Sequence, residues 1–319
     1  MEKYKYIFGP IPSRRLGMSL GVDLVPYKVC IYDCVFCEVG KTLKTVNIRK
    51  EYIKKEDILE ELERFLGNFS GQIDHITLTG SGETTLNVKL GEIIKEIKEK
   101  FTYPVAVLTH SGNITDQHVR LELSYADVVC PSLDAATQEV FEKVNRPYHG
   151  VKIDEIIVGL REFREIFKGT MFLEVLLVQG INDSEGELEK IGEAARYINP
   201  DSIHINTVDR PGSYPEAKPL LPEQLEFARS ILSKYHPNVR VLSRSYKHLE
   251  KPQFSSEEDL INELMNIIKR RPMTVLDIVT STGSDFFEIS NLVKKLQQEN
   301  LLEEVKLNGN KFYKIPSKV

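Results

Sequence analysis

Three cysteines lie within eight positions, at Cys30, Cys34 and Cys37, with the spacing C-x3-C-x2-C. Thiolates at this spacing on one tight loop can all face a single metal centre. Three ligands for a four-iron cubane leave one iron open, and an open metal position is where a substrate or cofactor binds. A structural zinc site is the alternative. Zinc needs four ligands, so a remote residue such as Cys130 or His75 would have to complete the shell.

The composition is that of a globular enzyme-sized protein. The chain has 319 residues, 41% of them hydrophobic and 28% charged, with a formal net charge of -5. That length allows one large barrel or two domains. Clustered cysteines without a recognisable export signal more often bind metal than form disulfides, and no apolar run approaches the roughly 18–20 residues of a membrane-spanning helix. We therefore expect a cytoplasmic protein that does not contact membranes.

Strand-like apolar runs alternate with amphipathic helical stretches along most of the chain, which is typical of a parallel α/β sheet or barrel. Six strands are predicted, at residues 19–25, 75–79, 105–109, 127–130, 172–178 and 202–206. Helices are predicted from an apolar stripe between residues 58 and 69 and at 90–98, 154–167, 185–198 and 222–234. Six such units are fewer than the eight of a complete barrel, so the expected fold is a partial (β/α)6 TIM-like barrel.

Small and polar residues gather where each predicted strand passes into its loop. Five such loops follow one another, at residues 79–83, 109–112, 131–134, 179–183 and 206–210. Parallel α/β folds place their sites at the carboxyl ends of the strands, whereas Gly, Ser, Asn and Asp can also simply form turns. The recurrence of the pattern favours one shared site.

The C-terminal part of the sequence has a different organisation. Residues 251–258 combine a Lys-Pro pair with Ser-Ser-Glu-Glu, which is typical of a linker leading to a helix cap. Three helical segments follow, at 260–269, 275–280 and 286–299, and then a hairpin of strands at 302–307 and 311–315. We therefore divide the chain into a barrel at residues 1–250 and a small α+β, winged-helix-like domain at residues 251–319.

The cysteine loop and its surroundings resemble the radical S-adenosylmethionine (SAM) superfamily. The superfamily pattern C-x3-C-x-Φ-C has an aromatic residue at Φ, here Phe36, and the sequence GSGE at 80–83 resembles its glycine-glutamate motif. Within the superfamily, GPIPSRRLG at 9–17 and SLGVD at 19–23 resemble the wyosine-base-synthetase-related group. The archaeal wyosine enzymes carry further N-terminal cysteines for a second cluster, and only Cys130 is spare here.

The resemblance implies two cofactors, a [4Fe–4S] cluster on the three cysteines and SAM. It places the SAM contacts at Phe36, Gly80, Ser81, Gly82, Glu83, Thr109, Ser111, Ser132, Asp134, Gln179, Gly180 and Ile181. Glu83 would accept from the methionyl ammonium of SAM, unless it merely caps the following helix.

Several other residues are candidates without a settled role. Arg14, Arg15, Arg210 and Tyr214 lie in or beside the predicted mouth loops and are the candidate substrate residues, because guanidinium groups suit carboxylates and phosphates. Surface ion pairs are the alternative for each arginine. His110 stands where the family usually has Asn, and either binds a ligand or supports structure. Cys130 is either a buried small hydrophobe or a thiol that takes part in chemistry.

The resemblance implies that a reduced cluster cleaves SAM to a 5′-deoxyadenosyl radical, which abstracts hydrogen from a substrate. The electron would come from a ferredoxin- or flavodoxin-type donor. The substrate class stays open between an RNA base, a protein side chain and a small molecule, with a macromolecule docking on the C-terminal domain. The alternative function is an iron–sulfur redox-sensing regulator that binds DNA through the winged helix. Residues 251–319 hold ten Lys or Arg and ten Asp or Glu, a formal charge of 10 − 10 = 0, which disfavours DNA binding.

Overall fold

The computed structural model describes residues 4–242 and 256–316 of the chain. Most of these residues form one eight-stranded sheet covered by helices. Its strands are β1 Ile7–Ser13, β2 Gly17–Val22, β3 His75–Leu78, β4 Val105–Thr109, β5 Val128–Pro131, β6 Thr170–Leu177, β7 Ser202–Thr207 and β8 Val239–Val241. Its helices are α1 Lys55–Asn68, α2 Leu90–Lys100, α3 Gln117–Leu123, α4 Gln138–Val144, α5 Ile153–Ile166, α6 Glu185–Ile198 and α7 Pro222–Leu232.

The strands lie in the sheet in the order in which they occur along the chain. β1 pairs antiparallel with β2, and every following pair from β2 to β8 is parallel. The predicted α/β class is thereby confirmed, with an architecture of the partial-barrel type. Because parallel strands end at the same edge of the sheet, the loops that follow β2 to β7 gather at that edge.

Alternation along β6 shows how the sheet separates its two faces. Met171, Leu173, Val175 and Leu177 are buried, whereas the residues between them are partly accessible. A period of two places these sets on opposite faces, so the buried set packs under the helices and the other set faces the barrel interior. The helices supply the complementary stripe; in α1 it consists of Ile58, Leu59, Leu62 and Phe65.

The structure adds elements that sequence periodicity did not predict. The edge strand β1 contains Pro10 and Pro12, which usually argue against a strand. A strand at the edge of a sheet tolerates proline, because the missing N–H has no ladder partner to lose. The helices α3 and α4 have only seven residues each, which is too short for a helical period to stand out, and β8 has three.

Residues 256–316, called the C-terminal segment below, contain the predicted three helices and hairpin. These elements are α8 Glu257–Ile268, α9 Val275–Thr282, α10 Phe286–Gln298, β9 Glu303–Leu307 and β10 Asn310–Lys314. The segment has its own cluster of buried apolar residues and lies against β1. There the Asn266 amide donates to the Ile7 carbonyl at 2.9 Å, and the Gly9 N–H donates to Glu263 at 3.0 Å. Among the described residues, no helix combines the length and apolar character needed to traverse a lipid bilayer.

Candidate functional site

The three cysteines lie on the loop between β2 and α1 and line one cavity of about 480 Å³. Cys30 is buried, and Cys34 and Cys37 are partly accessible. Two side chains direct N–H donors at the sulfurs. Lys28 Nζ lies 3.2 Å from Cys37 Sγ, and Asn145 Nδ2 lies 3.4 Å from Cys34 Sγ.

Burial strongly disfavours the charged form of these thiols. Burial, with a smaller contribution from the carboxylate of Glu83, raises the pKa of Cys30 to about 12. Burial also raises the pKa of Cys34 well above its usual value, with the neighbouring cysteines adding to the effect. Thiolates buried in this way are stable only when a positive charge compensates them, as a metal centre does.

The donor set fits an iron–sulfur cluster, which Cys30, Cys34 and Cys37 would hold. Three thiols share one wall, and hydrogen bonds to sulfur are among the factors that set the potential of such clusters. Within residues 4–242 and 256–316, no three His, Cys, Asp or Glu side chains converge closely enough to hold a single metal ion. His75, one of the remote ligands considered for zinc, places Nδ1 2.8 Å from the Leu16 carbonyl oxygen.

The glycine-rich loop after β3 forms a second wall of the cavity. Gly80, Ser81, Gly82 and Glu83 all line it. The loop is held from below by Asp23, which accepts from the Ser81 backbone N–H at 2.6 Å and from its hydroxyl at 3.2 Å. It follows that the conformation of the loop depends on a buried carboxylate just beyond the end of β2.

Glu83 connects the ends of β3 and β4 and is 1% exposed. Its Oε1 accepts from the Thr85 backbone N–H at 3.1 Å and from the Thr85 and Thr109 hydroxyls at 2.6 Å each. Its Oε2 accepts from the His110 N–H at 3.0 Å. The structure therefore gives Glu83 the capping role, at the 3-10 turn Thr84–Leu86, that the sequence allowed as an alternative. Its contact with the SAM ammonium stays a prediction.

His110 lines the cavity and is held as a neutral imidazole. Its ring stacks on Tyr32 with 3.8 Å between centroids, and Nδ1 accepts from the Gly112 N–H at 3.2 Å. Nε2 lies 3.2 Å from Glu83 Oε2, without the alignment of a hydrogen bond. Burial lowers the His110 pKa, although Glu83 opposes that effect. The neutral ring therefore carries its proton on Nε2.

Ser132 and Asp134, beyond the end of β5, also line the cavity, as does Phe36. Burial raises the pKa of Asp134 to about 6, partly offset by a 2.8 Å hydrogen bond from Asn145 Nδ2. The same Asn145 amide lies beside the Cys34 sulfur. One amide therefore joins the β5 end to the cysteine loop.

Four of the predicted SAM contacts do not line the cavity: Ser111, Gln179, Gly180 and Ile181. The Ser111 hydroxyl donates to the Ser132 carbonyl at 2.8 Å, so it supports the wall from behind. Gln179 and Gly180 are exposed beyond β6, and Gln179 lies 3.4 Å from Gln224. The family resemblance placed residues 179–181 beside SAM; in this structure they lie outside the cavity lining, and their contact with SAM stays a prediction.

The candidate substrate residues divide in the same way. Arg14, Arg15 and Arg210 line the cavity, whereas Tyr214 does not. The Tyr214 hydroxyl donates to Asp33 Oδ2 at 2.6 Å. The Arg146 guanidinium lies over the Tyr214 ring, 3.9 Å from its centroid. Tyr214 therefore braces the cysteine loop from outside.

Several cavity residues were not predicted, because their partners are distant in sequence. They are Lys28, Glu38, Glu174, Arg270, Arg271 and Asp277. Lys28 and Glu38 carried a local signal, because Lys28 precedes Cys30 by two positions and Glu38 follows Cys37 directly. Cys130 also lines the cavity, at 1% exposure, and burial raises its pKa to about 11.

Arg15 and Glu174 form an ion pair at 2.6 Å in the barrel interior. Glu174 also accepts from Asn206 at 3.1 Å. This polar group lies beside Cys130, since Arg15 and Glu174 both act on the pKa of its thiol.

Comparison with known proteins identifies the family. The model of the radical SAM superfamily matches residues 24–191. A protein named GTPase Obg from Brachyspira hyodysenteriae is 37% identical over 314 residues, and the match covers 98% of this chain but only 45% of that protein. A UPF0026 protein from Helicobacter pylori strain J99 is 35% identical over 275 residues, and the match covers 86% of this chain and 86% of that protein.

The fold has solved counterparts as well. SuiB from Streptococcus suis, in a crystal structure with S-adenosylmethionine bound, superimposes with a TM-score of 0.53 at 13% identity, covering 69% of this chain and 50% of that one. At that identity the likeness concerns the fold alone. Together with the family match and the site geometry, it leads to one conclusion: the chain belongs to the radical SAM superfamily of enzymes and, within it, to the UPF0026 group.

Proposed function

We propose that this protein binds a [4Fe–4S] cluster through Cys30, Cys34 and Cys37 and cleaves SAM reductively in the adjoining cavity. The main support for the proposal is the convergence of distant parts of the chain on one cavity. Three thiols, the GSGE loop and the polar ends of β4 and β5 line one cavity although they lie up to about a hundred residues apart. When bound, the cluster and SAM would supply a 5′-deoxyadenosyl radical that abstracts hydrogen from a substrate.

The protein's own residues bind, orient and exclude water. Lys28 and Asn145 donate to the sulfurs, and the glycines of the 80–83 loop allow the backbone to approach SAM closely. Glu83, Thr109, Ser132 and Asp134 are proposed SAM contacts in the cavity. We propose that Ser111 acts indirectly, by supporting the cavity wall through its hydrogen bond to the Ser132 carbonyl. Gln179, Gly180 and Ile181 would have to move inward to reach SAM.

We further propose the division into residues 1–250 and residues 251–319, with a winged-helix-like second unit. The C-terminal segment contributes Arg270, Arg271 and Asp277 to the cavity wall. That placement favours a role in the enzyme's own site over the alternative of a DNA-binding regulator. A ferredoxin- or flavodoxin-type electron donor and a cytoplasmic location complete the proposal. The resemblance to the wyosine-related group keeps an RNA base among the substrate classes, beside protein side chains and small molecules.

The test is anaerobic reconstitution of the full chain with iron and sulfide, followed by SAM and a strong reductant, with 5′-deoxyadenosine measured by chromatography. The variants Cys30→Ala, Cys34→Ala and Cys37→Ala should lose both cluster and product. Cys130→Ala is the matched control, because it removes a buried thiol that lies on β5 rather than on the cysteine loop; it should retain the cluster. A loaded cluster that never cleaves SAM would refute the proposal and favour electron transfer or sensing.

A further inference from the structure

Three arginines from distant parts of the chain line the same cavity. Arg14 follows β1, Arg210 follows β7 and Arg271 follows α8. The side chains lie close enough to influence one another. Burial lowers the pKa of Arg271 to about 9, with the Arg210 charge as the next cause and Arg14 contributing as well. Three carboxylates, Glu38, Asp209 and Asp277, line the same cavity and oppose this repulsion.

These carboxylates do not satisfy every N–H donor of the three guanidinium groups. Arg14 donates to the Asp209 carboxylate and to the Leu242 carbonyl, the latter at 3.1 Å. Arg210 has a 3.4 Å contact with Glu38 and lies 3.9 Å from Asp277, and its buried Nε has no hydrogen-bond partner. Both of its carboxylate contacts are longer than the bonds of a well-formed Arg–carboxylate pair.

Arg271 is the least satisfied of the three. Its Nε is buried without a hydrogen-bond partner. The carboxylates of Glu38 and Asp277 raise the Arg271 pKa, but they do not outweigh the effect of burial. A buried donor of a charged group that is left without an acceptor is destabilising. Such a side chain is stabilised when a ligand brings the acceptor.

The site also adjoins the cysteine loop. Glu38 follows Cys37 directly, and the loop that carries Arg210 is tied to the same loop where Ser213 Oγ donates to the Cys37 carbonyl at 2.9 Å. A group bound to Arg210 and Arg271 would therefore lie in the cavity that the three thiols line. That is where a substrate has to be held for hydrogen abstraction.

We propose that Arg210 and Arg271, with Arg14 beside them, bind an oxyanion group of a small-molecule substrate, a phosphate or a carboxylate. Planar guanidinium groups offer paired N–H donors that match both oxyanions. A cavity of about 480 Å³ with walls from the barrel and the C-terminal segment has the size of a small-molecule site. The description of this ligand as a substrate rests on the proposed function, whereas the anion site itself does not.

Isothermal titration calorimetry on the reconstituted full chain tests the site. Inorganic phosphate and succinate are titrated separately at constant ionic strength and with saturating SAM, and the tighter of the two identifies the oxyanion. Arg210→Gln and Arg271→Gln should each weaken binding at least about tenfold, since each removes a charged hydrogen-bond donor set. Arg196→Gln removes an exposed arginine of α6 and is the matched control, which should bind like the wild type. Arg210→Lys and Arg271→Lys keep the positive charge without the paired N–H donors of the guanidinium. They should weaken anion binding to an intermediate degree, and they serve as the test where a Gln variant fails to fold.

Three results would overturn the inference. Equal affinity in all variants would mean that the anions act generally on the protein. Phosphate or succinate binding that is present without SAM and abolished by saturating SAM would assign the arginines to the SAM carboxylate. Displacement of either anion by unfractionated tRNA at sub-stoichiometric amounts, with a steep salt dependence, would assign them to RNA phosphates. Calorimetry measures anion binding without turnover, so the two proposals can fail separately. If the protein forms deoxyadenosine but all variants bind the anions equally well, only this inference is wrong. Anion binding without SAM cleavage would defeat only the proposed function.

Discussion

Arg270 donates from Nε to Oδ2 of Asp23 at 2.7 Å, and both side chains are only 6% exposed. The two residues are 247 positions apart, so this ion pair joins the C-terminal segment to the end of β2. Asp23 uses its other contacts to hold Ser81 in the glycine-rich loop. The C-terminal segment is thereby connected, through one carboxylate, to the loop proposed to bind SAM.

We predict strong coupling between these two residues. Arg270→Met leaves a buried carboxylate without its cation and should lower the free energy of unfolding by about 3–5 kcal/mol, and Asp23→Asn should lower it by a similar amount. The double variant should lose less than the sum of the two, by more than about 1 kcal/mol, because no uncompensated charge is left. Urea unfolding measures all three. Arg196→Met, at an exposed position of α6, is the control, and strictly additive losses would show that the pair is not coupled.

A second prediction concerns the close packing of the glycine-rich loop. A Cβ on Gly82 would lie 2.0 Å from the Val29 carbonyl oxygen, which accepts from the Glu83 N–H at 3.0 Å. Because this obstacle is backbone, Gly82→Ala must displace the cysteine loop, and we expect a loss of about 1–3 kcal/mol together with weaker SAM binding.

The matched control for that substitution is Gly186→Ala in α6. Apart from its chain neighbours and the backbone of its own helix, no described heavy atom lies within 4 Å of a Cβ at this position, so the change should stabilise the chain by about 0.4–1 kcal/mol through the unfolded state. Thermal unfolding and equilibrium dialysis with SAM compare the two variants. If both behaved alike, the close approach at Gly82 would have no consequence.

A third prediction concerns the cluster potential. The Lys28 ammonium is the positive charge 3.2 Å from Cys37 Sγ, and a nearby cation stabilises the reduced, more negative state of a cluster. Lys28→Gln should therefore lower the midpoint potential, by an amount on the order of tens of millivolts. An electron paramagnetic resonance titration of reconstituted protein measures the shift. Lys44→Gln, on the exposed part of the same loop, should leave the potential unchanged, and a Lys28 variant with the wild-type potential would contradict the assignment.

The cysteine loop and the strand ends were predictable because their signals are local. Three cysteines at fixed spacing, and polar residues where buried strands end, need no knowledge of distant contacts. At the β6 loop the family resemblance named Gln179 and Gly180 as SAM contacts; both are exposed in this structure, and their contact with SAM stays a prediction. The prediction missed Arg270 and Arg271 because nothing near residue 270 shows that α8 ends over the mouth of the cavity. Contacts between residues some 250 positions apart arise from tertiary packing, and the hydrophobic periodicity of the sequence does not reveal them.

His204 makes stability depend on pH. The side chain is 2% exposed, both ring nitrogens lack hydrogen-bond partners, and the ring packs on Phe172 with 4.6 Å between centroids. Burial lowers its pKa to about 4, and the charges of Arg15 and Arg240 add to the effect. In the unfolded chain His204 is therefore protonated as the pH falls through about 6.5, whereas in the folded chain it stays neutral down to about pH 4.

Because the folded-state pKa is depressed, the contribution of neutral His204 is fully present above about pH 6.5 and is lost as the pH falls towards 4. A shift of this size corresponds to about 3 kcal/mol at most across that window. His204→Phe keeps an aromatic ring against Phe172 and removes the titration, so its unfolding free energy should change less between pH 7 and pH 4 than that of the wild type. Urea unfolding at several pH values measures the difference, with His118→Phe as the control because His118 is exposed. Parallel pH profiles for wild type and His204→Phe would show that the acid sensitivity of the fold arises elsewhere.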